Sequence, residues 1–179
     1  SVVSVSLINI NASVESGSLV ALDRRTGKPA WKAGGIGSSW NTPVLATAPG
    51  GGIELVVSVQ GRVLGIDPID GKGLWSANGV HRYVCPSVVT HKGIAYVIGG
   101  GHTSLAVKVG GRGDVTKTHG LWRVSKGSNV SSPIYLKGRL YWASAGNGVV
   151  YCQDAGTGKL IYQKRLDPPP GRIWTSPIL

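Results

Sequence analysis

"ALDRRTGKPAW", residues 21–31, sets an Asp eight residues ahead of a Trp, with Gly-Lys between them at 27–28. The frame returns in "GIDPIDGKGLW" (65–75) and in "CQDAGTGKLIY" (152–162), where Tyr162 replaces the Trp. Asp23, Asp67 and Asp154 each follow a short apolar run with strand composition. The segment from Asp to Gly reads as a hairpin turn. Its carboxylate can accept backbone N–H groups, and its glycine can take a positive φ. The aromatics Trp31, Trp75 and Tyr162 then close the next strand and suit packing between repeats.

A second marker, a Pro after a small or polar residue, stands at Pro43, Pro86, Pro133 and Pro177, with spacings of 43, 47 and 44 residues. Such a Pro suits the first residue of a strand. A period in the forties with only β signals predicts an all-β chain, a β-propeller of four-stranded antiparallel blades. About four blades' worth is present. Residues 1–40 are expected to supply the last strands of a first blade, 41–80, 81–128 and 129–170 a blade each, and 171–179 the first strand of a further blade. The chain starts at Ser1 without a Met and stops in an apolar run, which reads as a piece of a longer protein. Its head and tail either pair with each other, pair with a second copy, or belong to a larger ring.

"GGRGDVTKTHGLW" (110–122) contains the adhesion triplet Arg112-Gly113-Asp114. Asp114 also stands eight residues before Trp122, the offset of the other three repeats. It is therefore read as the Asp of a repeat turn rather than an integrin ligand. This copy lacks the turn Gly-Lys, so its turn is expected to differ from its sisters.

The residues Ala21, Asp23, Thr26, Gly27, Lys28 and Trp31 resemble the tryptophan-docking motif of the pyrroloquinoline quinone (PQQ)-type propeller repeat. The wording of the segments is similar to PQQ-like repeat proteins of planctomycete and other bacteria. The resemblance implies a propeller, and with it two alternatives. One is a non-enzymatic scaffold that binds a protein or an anionic ligand. The other is a quinoprotein dehydrogenase that uses PQQ and calcium. An extracytoplasmic or periplasmic location is implied as well.

A calcium and quinone site needs acidic oxygen ligands and a carboxylate base. Of eight acids, four are repeat Asp, and Glu15, Glu54, Asp70 and Asp167 are scattered. No catalytic residue, metal ligand or cofactor site is therefore expected in this segment. Cys85 and Cys152 read as small buried thiols. His81, His91, His102 and His119 lack ligand spacing.

Nineteen Lys and Arg against eight acids give a net charge of +11. The cations are spread, without a block of like charge or a nucleic-acid module. They suit an anionic partner such as an acidic glycan, so a glycan- or matrix-binding propeller is a third alternative. The apolar runs are too short to span a bilayer. Trp40 and Trp174 precede the Pro marker by three residues, and Tyr83 holds the matching place before Pro86. Arg82, Tyr83, Arg172 and Trp174 are the candidate contacts at the rim of the ring.

Overall fold

A computed structural model describes residues 5–10, 17–37, 39–82, 84–146 and 148–178, the first segment as backbone only. They form four sheets. The first joins β1 (Val5–Ile10), β2 (Ser18–Asp23) and β3 (Pro29–Ala33). The second runs β4 (Val44–Thr47), β5 (Ile53–Val59), β6 (Arg62–Ile66) and β7 (Gly73–Asn78) as an antiparallel meander. The third is built likewise from β8 (Val89–His91), β9 (Ile94–Gly99), β10 (Thr103–Lys108) and a later strand β12 (Gly120–Val124). Between them lie β11 (Gly113–Asp114) and the one-turn α1 (Thr116–His119). The fourth is β13 (Ile134–Leu136), β14 (Arg139–Ala143), β15 (Val149–Asp154) and β16 (Leu160–Arg165).

Middle strands such as "IELVVSV" and "IAYVIG" are apolar at successive positions because each sheet is sandwiched. Successive side chains point to opposite faces. Leu55, Val57 and Val59 pack toward the first sheet with Leu19 and Ile36, while Val56 packs toward the third with Val97 and Leu105. Tyr96 and Ile98 face the fourth sheet with Leu140 and Trp142. The core is thus a series of apolar layers between stacked blades. In every blade the ladder slips by one residue just before the turn, at Ala21/Leu22, Gly65/Ile66, Ala106/Val107 and Cys152/Gln153. A bulge there increases the local twist.

Hydrogen bonds sort the connections onto two faces. On one, the hairpin after the first strand of a blade meets the turn after its third: Val109 N–H donates to Gly93 O and Ala155 N–H to Gly138 O, each at 2.9 Å. On the other, the turn between second and third strands meets the crossover to the next blade. There Gly61 N–H donates to Val80 O at 2.8 Å, and Leu166 N–H to Gly148 O at 2.9 Å. These are called the turn face and the crossover face.

Successive crossovers are tied in series. Thr42 N–H donates to Ser87 Oγ (3.1 Å), Ser87 N–H to Ser132 Oγ (2.9 Å) and Ser132 N–H to Ser176 Oγ (2.9 Å). The spacing of these residues is 45, 45 and 44, more regular than that of the prolines. Pro43 and Pro133 directly precede their strands, but Pro86 stands three residues ahead of β8. In the hydroxyl register Cys85, and not Tyr83, is therefore the counterpart of Trp40 and Trp174. Residues 171–178 carry no strand; a strand is made by its ladder, and no second strand pairs with them among the described residues.

Candidate functional site

Three turns are built alike. Asp23 Oδ1 accepts from Arg25 N–H, Thr26 N–H and Thr26 Oγ1–H, at 3.0, 2.8 and 2.9 Å. Asp154 Oδ1 accepts from Thr157 N–H and Oγ1–H at 2.8 and 2.7 Å. Asp67 Oδ1 accepts from Ile69 N–H at 2.8 Å. Gly27, Gly71 and Gly158 close these turns at φ of 69°, 76° and 73°.

Two of the turns receive an indole from the preceding blade. Trp31 Nε1–H donates to Pro68 O at 3.1 Å, and Trp122 Nε1–H to Ala155 O at 2.9 Å. The rings lie flat on the turn glycines. A Cβ at Gly71 would come within 2.5 Å of Trp31, and one at Gly158 within 2.7 Å of Trp122. Tyr162, expected in the core, is 46% exposed, because no described turn lies across from it.

The turn at Asp114 is a correction to the sequence reading. Asp114 does not close a hairpin. Gly113 and Asp114 form β11, which pairs in parallel with Trp75 and Ser76 of β7 and adds a fifth strand to the second sheet. Val115 N–H donates to Ser76 O at 2.8 Å, and Asn78 N–H to Thr116 Oγ1 at 3.0 Å. The exposed Asp114 carboxylate accepts Thr116 N–H at 2.9 Å. The inserted residues absorb the eight-residue offset as α1, so the spacing survives while the turn does not.

Trp75 consequently has no turn to dock on. It is buried, and its Nε1–H donates to Glu54 Oε2 at 2.7 Å. The same oxygen accepts Gly110 N–H at 3.0 Å, and Arg112 Nη1 lies 3.5 Å from Glu54 Oε1. Arg112 also donates to Gly111 O at 2.7 Å. The ring covers Gly65 so closely that a Cβ there would stand 2.1 Å from it. Glu54, which the sequence left without a role, is the buried acid that holds the divergent loop. A lone acid inside the run "IELVVSV" was the signal for it.

Hydrogen bonds from threonine side chains and backbone hold Asp23, Asp114 and Asp154 below the ordinary carboxylate value of 3.8. A lowered folded-state value stabilises the fold above the unfolded value and is lost as pH falls through the folded one. The urea midpoint is therefore expected to be flat near neutrality and to drop as pH descends below 3.8. A midpoint unchanged down to pH ~2 would remove the turns from the acid response.

Calcium binding asks for several oxygen ligands in one place. Among the described residues no three of His, Cys, Asp and Glu gather, and Asp23, Asp67, Asp114 and Asp154 serve the backbone. Cys85 is half-buried and Cys152 buried, both free; burial raises the Cys85 thiol. His91 stacks on Tyr135 at 4.0 Å, and His119 Nδ1 meets Thr118 Oγ1 at 2.9 Å. His81 and His102 are exposed.

Of the candidate rim residues, Arg82, Arg172 and Trp174 fall on the crossover side of the chain. Arg82 is exposed and sits at a φ of 61°, a left-handed conformation that costs an L-residue about 1 kcal/mol. Tyr83 lies outside the described residues. Arg172 and Trp174 come together in a cleft of about 370 Å³ with Asn129, Val130, Ala145 and Gly146. Trp174 is 64% exposed and Trp40 50%.

Stacked antiparallel blades, two of them receiving the preceding blade's indole on an Asp-Gly turn, define a propeller of the PQQ repeat class. The chain belongs to the family described as outer membrane protein assembly factor BamB, whose model matches residues 15–109, more than half of its length. Among solved structures it is similar to BamB from Moraxella catarrhalis (TM-score 0.59, 14% identity, 91% of this chain and 61% of that one). It is also similar to quinohemoprotein alcohol dehydrogenase from Comamonas testosteroni (0.65, 14%, 89% and 36%) and to a europium-containing methanol dehydrogenase (0.64, 15%, 92% and 42%). At such identities the likeness is one of fold, and the chain spans less than two thirds of each. No curated protein matches it.

Proposed function

We propose that the chain is a non-enzymatic binding module, and that its crossover face takes an anionic partner outside the cytoplasm. One observation supports this most: the acids avoid that face. Asp23, Asp67, Asp70, Asp114 and Asp154 lie in or beside turn-face loops, and Glu54 is buried. Asp167 is the one described acid among the crossovers. Lys32, Arg62, Arg82, Arg123, Lys126, Lys164, Arg165 and Arg172 lie at strand ends or crossovers on this side, so every blade contributes charge. Several like charges on one surface steer an oppositely charged partner and raise its local concentration.

Combining Arg62→Glu, Arg82→Glu and Lys126→Glu is expected to weaken retention on a sulfated-polysaccharide matrix at least ~10-fold, with a shallower salt dependence. Arg24→Glu with Arg25→Glu on the turn face should leave it nearly unchanged. The reverse pattern would place binding on the other face. Dye-linked alcohol oxidation after incubation with PQQ and calcium would overturn the non-enzymatic reading.

A further inference from the structure

We infer that the cleft between the last two crossovers is a subsite for one carboxylated sugar ring. It is walled by Asn129 and Val130 of one crossover and by Arg172 and Trp174 of the next, with Ala145 and Gly146 of the β14–β15 turn as its floor. This assignment rests on the crossover face being the binding face, and it names the ligand class.

The second wall is held in place although it is exposed. Leu166 N–H donates to Gly148 O and Ile173 N–H to Ala145 O, both at 2.9 Å. Pro170 packs on Gly148, where a Cβ would stand 2.8 Å from its Cδ. Ser176 Oγ accepts Ser132 N–H at 2.9 Å. With Ile173 anchored to the floor, Arg172 and Trp174 flank it in sequence and both line the cleft. The exposed indole is thus presented by a fixed backbone.

The chemistry of the walls is specific. An indole face packs on the C–H face of a pyranose, which is flat, apolar and poorly solvated. A guanidinium takes a carboxylate in a bidentate fork. The Asn129 amide supplies a donor and an acceptor for neighbouring hydroxyls. A cleft of about 370 Å³ has room for one ring. In the repeat register Trp40 stands at the Trp174 position of the first repeat, and the interior blades lack the Arg-Trp pair. Trp174 takes the place of Cys85 and Val130 in the interior blades, and Arg172 that of Ser128.

Titration of the protein with trigalacturonate, followed by calorimetry, tests the assignment. Arg172→Ala and Trp174→Ala are each expected to weaken binding about 10-fold with an unchanged thermal midpoint, and the neutral trisaccharide of galactose to bind about 10-fold more weakly than the acidic one. Arg172→Lys should recover only part of the loss, since a point charge replaces the fork. Equal affinity in wild type and both alanine variants overturns the subsite, as does no binding of trigalacturonate by the wild type. A glutamate-rich hexapeptide that competes as well as the sugar overturns the ligand class. If the polysaccharide matrix still retains the protein while trigalacturonate does not bind, the cleft assignment alone fails. If Arg62→Glu with Arg82→Glu leaves matrix retention intact, the reading of the whole face fails.

Discussion

Glu54→Ala is expected to cost about 3 kcal/mol of stability, more than any other single change to an ionisable residue of the described chain. Glu54 is 4% exposed and accepts from two donors, the Trp75 indole and Gly110 N–H, neither of which has another partner among the described residues. Removing the carboxylate leaves both donors in a dry layer, and each orphaned buried group costs ~1–3 kcal/mol. Arg112 loses its counter-ion too, but its side chain is 70% exposed, so little stability follows from that pair. Glu54→Gln keeps one acceptor oxygen and should recover part of the loss. Urea unfolding monitored by tryptophan fluorescence measures both. A Glu54→Ala protein as stable as the wild type would mean that residues 109–119 dock through their backbone pairing alone.

Trp122→Ala should cost a similar amount, about 3 kcal/mol or slightly more. The indole bonds Ala155 O, lies on Gly158 and packs with Tyr96 at a ring distance of 6.2 Å. It is the fastener between the third and fourth blades. Tyr162→Ala offers the internal control. Its ring occupies the same place in the repeat but is 46% exposed, so its loss should stay below ~1 kcal/mol. Thermal denaturation of the two variants side by side decides the point. Equal effects would show that the position matters through its own strand and not through the neighbouring turn.

The contrast between these residues also marks how far the sequence could be read. Turn chemistry is local: an Asp, a Thr three residues on and a Gly lie within one hairpin, so Asp23 and Asp154 were legible with their partners. Trp31 and Trp122 were legible as packing residues, although their acceptors, Pro68 O and Ala155 O, lie 37 and 33 residues away. Asp114 kept its distance from Trp122 and misled the reading, because one helical turn fills the interval as well as a hairpin does. Glu54 stood out as a lone acid in an apolar run, but its partners were illegible because they come from β7 and from the loop after β10, which only tertiary stacking brings together. Tyr83 was aligned with Trp40 through a proline that sits out of step, whereas the hydroxyls of Ser87, Ser132 and Ser176 keep the true period. At the rim, Arg172 and Trp174 were named from the sequence as separate candidates, and the cleft they share with Asn129 was not read there.

The fifth strand of the second sheet has a consequence for biosynthesis. Residues 113 and 114 complete the edge of β7, yet they are translated after β8, β9 and β10. While the chain emerges from the ribosome, the β7 edge stays bare until most of the following blade has been made. Bare edges recruit other strands, and nascent chains are where this does most harm. A chain built this way gains from folding in a compartment, or beside a holdase, that keeps neighbours apart until Gly113 arrives.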